Sequence, residues 1–324
     1  MNIAYFGSPH ISALLLKELL KEQHSDYSIS LIVSQPDKPI GKKLEIRPTM
    51  VSEIASAYHI PLFNKPLKEN EFDLIQILKN KNIDLCIIFA YGEILSSALL
   101  TIPKFGFWNI HPSLLPLYRG PSPIAYSLLL GDKNSGVTLM KIGEKMDAGP
   151  IIEQVTTSIE LQESRSMVEE RLTLIGSALL KKNLKKVVKN NEIVTRPQDN
   201  TLATYTSLLK KEDGYFNLQF LSNSLANNDC SIELLPKLLQ NYLNRNELTE
   251  SYLKLNSSGK IFYNFFRALS PWPGIWTEIN TNKGLKRLKI IKASYINELI
   301  INEVQLEGKN KVDFKTFNKA YNIL

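Results

Sequence analysis

"NIAYFGSPHISALLLKELL", residues 2–20, carries the pattern from which the architecture is read. Asn2 to Phe6 form a short apolar run that stops at Gly7. Beyond the glycine, Ile11, Ala13, Leu14, Leu15 and Leu19 recur at helical spacing. Ser8 is placed to cap that helix and Pro9 to open it. The chain therefore begins strand, tight turn, helix. The alternation continues, with strands expected over 28–34, 60–63 and 84–89 and helices near 48–58 and 69–80. Further strands are expected over 105–112, 135–142 and in "IIEQVTTSI", with a helix after Pro121 and Pro123 and a long one over 163–190. Strands alternating with helices predict an α/β fold built on a doubly wound, mostly parallel sheet. Such sheets take ligands beyond the carboxyl ends of their strands, where the strand order reverses.

A length of 324 residues calls for about two domains. The polar stretch "NNEIVTRPQDNTLATYT" sets the boundary: a catalytic domain over 1–190, a linker over 191–204 and a smaller C-terminal domain over 205–324. In the latter, an aromatic helix in "KIFYNFFRALSPWP" precedes strand-like "GIWTEI", "RLKIIKAS" and "LIINEVQLEG", an α+β or β-barrel-like pattern. No stretch reaches the ~18 to 20 apolar residues of a membrane span, and no basic segment precedes an apolar one at Met1. A cytoplasmic protein, monomeric and free of membrane partners, is expected. Cys86 lies in the apolar "IDLCIIFA" and reads as a buried, inert thiol. With Cys230 it makes neither a disulfide framework nor a zinc site, and histidines 10, 24, 59 and 111 lack metal-ligand spacing. No metal is expected.

The formal net charge of +7 permits a phosphate-rich partner. "QPDKPIGKKLEIRP", residues 35–48, concentrates lysines beside prolines without periodicity and is expected to be a loop. It leaves the sheet at the carboxyl end of a strand, so its basic residues stand on the functional rim.

"WNIHPSLLPLYRG", residues 108–120, carries the chemistry. Asn109 and His111 are two apart on a strand, so their side chains share a face. An amide can donate to an oxyanion that forms in a transition state, and an imidazole can carry a proton near neutral pH. That combination suits acyl transfer to an amine. Asp147, in the glycine-flanked "GEKMDAGP" between Met146 and Ala148, is the carboxylate to fix the imidazole, in what reads as an apolar setting. No serine or cysteine nucleophile sits in a recognisable elbow, and neither G-x-G-x-x-G nor a Walker A motif occurs. The bland alternative is that Asn109 and His111 finish a strand and Asp147 makes a turn.

"NIHPSLLPLYRGPSPI" followed by "GVTLMKIGEKMDAGPII" resembles the core of the folate-dependent formyltransferases, which have a Rossmann-like catalytic domain. The resemblance implies transfer of a formyl group from 10-formyltetrahydrofolate to an amine. It implies that Asn109 binds the developing oxyanion, that His111 relays the amine's proton and that Asp147 orients His111. It also implies a folate pocket lined by Ser113, Leu114, Leu115 and Pro116, with the backbone of Ala90, Tyr91 and Gly92 near the pterin. Arg119 would stand close by, in a carboxylate pair or on the substrate side.

Three more stretches, "YFGSPHISALLLKELL", "VSQPDKPIGKKLEIRPTMVSEIA" and "FFRALSPWPGIWTEI", resemble the branch of that family whose acceptor is initiator methionyl-tRNA. They imply that Lys38, Lys42, Lys43 and Arg47 meet acceptor-stem phosphates and that the C-terminal domain helps to hold the tRNA. Residues 217–258 depart from the family's pattern, and the C-terminal domain is expected to be trimmed. Two alternatives follow: an N-formyltransferase for an amino sugar nucleotide, or a basic RNA-binding protein that no longer turns over.

Overall fold

The computed structural model describes residues 1–21, 26–40 and 45–323, divided between two compact units. The first comprises Met1–Pro121, Ser135–Ser158 and Glu169–Tyr205; the second comprises Ser122–Asn134, Ile159–Val168 and Thr206–Leu324.

The first unit opens with β1 (Asn2–Phe6), α1 (His10–Leu20) and β2 (Ser28–Val33), then β3 (Lys38–Ile40), β4 (Glu45–Arg47) and α2 (Met50–Ala57). It continues through β5 (Leu62–Phe63), α3 (Leu67–Asn80), β6 (Leu85–Ile88), α4 (Ser97–Leu100) and β7 (Phe107–His111). After α5 (Pro123–Leu130), which belongs to the second unit, come β8 (Asn134–Lys141), β9 (Ile151–Ser158) and α6 (Arg165–Asn190). The seven-stranded sheet has the order β5-β2-β1-β6-β7-β8-β9. β1 pairs in parallel with β2 and β6, β6 with β7 and β2 with β5, while β7 and β8 are antiparallel. This is the doubly wound, mostly parallel sheet that the alternation predicts. Ile3 to Phe6 of β1 and all of β6 are buried because helices cover both faces, which is why these strands read as unbroken apolar runs. The strand order reverses between β1 and β6. Gly7 follows β1 at a position closed to any side chain, since a Cβ there would lie 2.8 Å from the Phe89 carbonyl and 1.7 Å from Ser12 Oγ.

Two local expectations are corrected. Ser8 does not cap α1: its Oγ accepts the amide of Gln35 at 3.0 Å, and Pro9, extended at ψ 175°, occupies the cap position. The hydroxyl goes to an unpaired strand-end amide, so it ties the ends of β1 and β2 together. Residues 35–48 are not wholly a loop, since β3 and β4 pair antiparallel, with Lys38 opposite Arg47 and Pro39 opposite Ile46. Lys38, Pro39, Glu45, Ile46 and Arg47 are all exposed, so none of the hairpin's described side chains is buried and no alternating pattern among them betrays it. Lys42 and Lys43 lie outside the described residues.

In the second unit α7 (Leu218–Leu225), α8 (Lys237–Arg245), α9 (Thr249–Leu255) and α10 (Ser258–Leu269) precede β10 (Ile275–Thr281), β11 (Gly284–Tyr295), β12 (Leu299–Leu306), β13 (Lys311–Asp313) and α11 (Phe314–Tyr321). The four strands form an antiparallel sheet in chain order. Helix α10 is the core of this unit, with Ile261, Phe262, Phe265 and Leu269 fully buried against α5, α7 and the sheet. Phe216 meets Phe262 edge-on at 5.1 Å, an arrangement favoured by the ring quadrupoles. Residues 217–258 form α7, α8 and α9. The sequence reading missed α11, whose signal was Asp313: its carboxylate accepts the amide of Thr316 at 3.0 Å.

Candidate active site

Strand β7 carries Asn109 and His111 on one face, as the period of two requires. Asn109 lies opposite Ile88 of β6 and Met140 of β8, and His111 opposite Thr138 of β8. Both side chains thus stand one strand beyond β6, beside the switch point. His111 is 4% exposed, whereas Asn109 is half-buried.

Asp147 comes to them from the loop between β8 and β9. Its Oδ2 accepts the backbone amide of Gly120 at 2.7 Å and lies 3.7 Å from His111 Nδ1. Its Oδ1 accepts from Asn109 Nδ2 at 3.5 Å. The Gly120 contact is a short charge-assisted bond; the other two are longer. The Asp147 side chain keeps 16% of its surface. Met146 beside it is 63% exposed, so the apolar setting expected from its neighbours is not what surrounds the carboxylate. Its partners are an amide hydrogen, an imidazole and a side-chain amide. The other ring nitrogen, His111 Nε2, is 2.9 Å from the Tyr118 carbonyl. Both ring nitrogens therefore face oxygen atoms, the Tyr118 carbonyl at hydrogen-bond distance and the Asp147 carboxylate farther off at 3.7 Å.

The stretch after β7 is stapled down. Ser113 Oγ donates to the Leu117 carbonyl at 2.7 Å. Thr138 Oγ1 accepts the Leu115 amide at 3.1 Å and donates to the Ser113 carbonyl at 2.6 Å. Gln154 Nε2 donates to the Leu115 carbonyl at 2.9 Å. Ser113 and Leu115 are buried, Leu115 in a small cluster with Met140 and Ile151, while Leu114 and Pro116 keep part of their surface. Leu114 also packs over Gly136, where a Cβ would meet its Cδ2 at 2.5 Å.

Ala90, Tyr91 and Gly92 form the turn that leaves β6. Ala90 and Gly92 are exposed with φ of +52° and +80°. The Tyr91 ring is buried edge-on against Phe6 at 5.4 Å. Burial, with the Glu93 charge adding, pushes its phenol well above the usual range. This turn offers backbone, not side chain, to a ligand. On the hairpin, Lys38 Nζ donates to Gln35 Oε1 at 2.8 Å and Arg47 pairs with Glu45 at 3.1 Å, both in the open.

Sequence reasoning missed Gly120, Tyr118 and Gln198 as partners of the site. Two of them act through backbone atoms, which leave no mark on residue type. Gln198 donates to the carbonyls of Asp147 and Gly149 from a segment 51 positions later in the chain. Arg119 is buried against that segment and bonds Gln198, Asn200 and Tyr205. Among the described residues there is no helix long and apolar enough to cross a membrane and no acidic, His or Cys cluster suited to a metal ion.

Residues 1–184 match the formyl transferase family model, and the chain belongs to that family. It is a formyltransferase. Among its curated relatives is a methionyl-tRNA formyltransferase of Staphylococcus aureus, 30% identical over 92% of this chain and 82% of the relative. The fold is shared with a 4-N formyltransferase from Francisella tularensis, with a TM-score of 0.60 at 16% identity over 91% of this chain and 98% of that one. It is shared too with an N-formyltransferase from Helicobacter canadensis, solved with folinic acid and dTDP-3-aminofucose, with a TM-score of 0.56 at 20% identity over 91% and 88% of the two chains.

Proposed function

We propose that this formyltransferase moves the formyl group of 10-formyltetrahydrofolate to the amino group of initiator methionyl-tRNA. The chemistry rests on one observation: Asn109, His111 and Asp147 converge from two elements, with Asp147 within 3.7 Å of both partners. The folate supplies the formyl group and accepts a proton as it leaves. Asn109 Nδ2 donates to the formyl oxygen, which gains negative charge as the amine adds to the carbon. His111 carries the amine's proton toward the leaving nitrogen, and Asp147 holds the ring in place for it. The amine–carbon bond forms, the carbon–N10 bond breaks, and the proton passes between the two nitrogens. Leu114, Pro116 and the backbone of Ala90 and Gly92 receive the pterin, with Ser113 and Leu115 supporting that wall from within.

The acceptor rests on the identity to methionyl-tRNA formyltransferases and on the basic segment holding Lys38, Lys42, Lys43 and Arg47. Residues 205–324 serve as a tRNA-holding domain in this reading. The sugar-nucleotide enzymes share the fold, so fold does not choose between acceptors. The deciding experiment offers the protein 10-formyltetrahydrofolate with either initiator methionyl-tRNA or dTDP-3-aminofucose and reads the product by mass spectrometry. A formyl group added to the tRNA supports the proposal. Transfer to the sugar alone replaces the acceptor, and tRNA binding without transfer to either removes the chemistry.

A further inference from the structure

Asp147 adopts φ +49°, in the left-handed region where a residue with a Cβ is strained by about 1 kcal/mol or more. Its own loop gives it modest support: within residues 143–149 the amide of Ala148 reaches the Lys145 carbonyl at 3.2 Å. The firmer hold comes from another segment. Gln198 Nε2 donates to the Asp147 carbonyl at 2.8 Å and to the Gly149 carbonyl at 2.7 Å. Gln198 Oε1 accepts from Arg119 Nη2 at 2.8 Å and Nε at 3.2 Å. A guanidinium has donors only. Arg119 therefore dictates which end of the Gln198 amide faces it and turns the NH2 toward the two loop carbonyls. Arg119 is 2% exposed and its fork also reaches Asn200 Oδ1 at 2.7 Å and the Tyr205 hydroxyl at 3.2 Å. The next residue along, Gly120, gives its amide to the Asp147 carboxylate at 2.7 Å.

We propose that Arg119 and Gln198 are positioning residues that act on the reaction through Asp147. Neighbouring residues grip Asp147 from both sides. Gly120 holds the carboxylate directly, and Arg119 holds the backbone through Gln198. The inference rests on the catalytic reading of Asp147 above. A displacement of about 1 Å at a reacting group can cost on the order of a hundredfold in rate, so a side chain that never meets substrate can still govern turnover.

Gln198→Glu separates the two jobs. A carboxylate keeps the acceptor that Arg119 needs, preserving the buried pair, but turns an acceptor oxygen toward the two loop carbonyls. In protein confirmed as folded by its near-ultraviolet circular dichroism, kcat for formyl transfer should fall about 30- to 100-fold, with KM for the formyl donor changed less than about twofold. On an Asp147→Asn background the same change should cost less than about threefold, because residues acting as one unit are not additive. In the protein without substrate, the Gly120 amide resonance should move upfield and its hydrogen exchange should quicken by about tenfold or more as the carboxylate leaves it. Should Gln198→Glu not fold, Arg119→Lys, which cannot supply the fork, should shift the same signals in the same direction by less. An unmoved Gly120 amide in a folded variant would overturn the proposal, as would fully additive rate losses. If the wild-type protein transferred no formyl group, the proposed reaction would fail on its own, and the amide measurement would still decide the grip on Asp147.

Discussion

Arg47 and Arg119 carry the same guanidinium in opposite settings. Arg47 stands on the β3–β4 hairpin, its side chain 63% exposed and paired among the described residues with Glu45, itself 55% exposed. Arg119 is buried, with its fork spent on Gln198, Asn200 and Tyr205. An exposed pair contributes little to the fold, about 0–1 kcal/mol, so the charge of Arg47 remains available to a phosphate. The charge of Arg119 is fully engaged within the protein, and its contribution is geometry. One basic residue faces solvent and the other is tied into the fold, although a count of charges treats them alike.

The largest effects are expected among the buried, bonded groups. Asn109→Ala removes the proposed oxyanion donor and should lower kcat by about a hundredfold or more, read in single-turnover formyl transfer at saturating donor. Loss expressed only in KM would mean that Asn109 binds substrate without favouring the transition state.

At the open end the effect is smaller and depends on salt. Arg47→Ala should raise KM for the tRNA and reduce the steepness of log affinity against log salt by about one unit. The gap between wild type and variant should shrink by about three- to fourfold between 50 and 200 mM salt. A gap that did not respond to salt would argue that Arg47 makes no phosphate contact.

The smallest effect lies between these extremes. Partial burial of Glu153 would raise its carboxyl, but hydrogen bonds from Lys182, Asn183 and Lys186 outweigh it and bring the group down to about 2. A lowered folded-state value gives stability that is present above about pH 4.5 and is lost as pH falls through about 2. The side chain stays 24% exposed, so screening limits its contribution to about 1 kcal/mol or less. Urea unfolding of Glu153→Gln should show that deficit at pH 7 and little difference from wild type near pH 2. A deficit that was the same at both values would assign the effect to packing.

The strands of the two main sheets were largely legible, and the exposed β3–β4 hairpin was not. β1, β6 and β7 read correctly because strands covered on both faces must be continuous apolar runs. The β3–β4 hairpin escaped because none of its described side chains is buried, so its pairing puts no constraint on residue type. Ser8 was misassigned because a serine before a helix can serve either the helix or a neighbouring strand end, and only the tertiary structure places the amide of Gln35 beside it. Asn109 and His111 could be paired from spacing alone. The approach of Asp147 could be anticipated only as a carboxylate that the imidazole would need. Gln198 was beyond reach, because its partners are the carbonyls of Asp147 and Gly149, and every residue has a carbonyl.

The most direct test is single-turnover formyl transfer by Asp147→Asn with both substrates saturating. An asparagine keeps the shape and an oxygen for the Gly120 amide, but loses the charge beside His111 Nδ1. The rate should fall by about a hundred- to a thousandfold while the donor still binds with close to wild-type affinity. A rate within about threefold of wild type would contradict the claim that this carboxylate sets up the proton carrier.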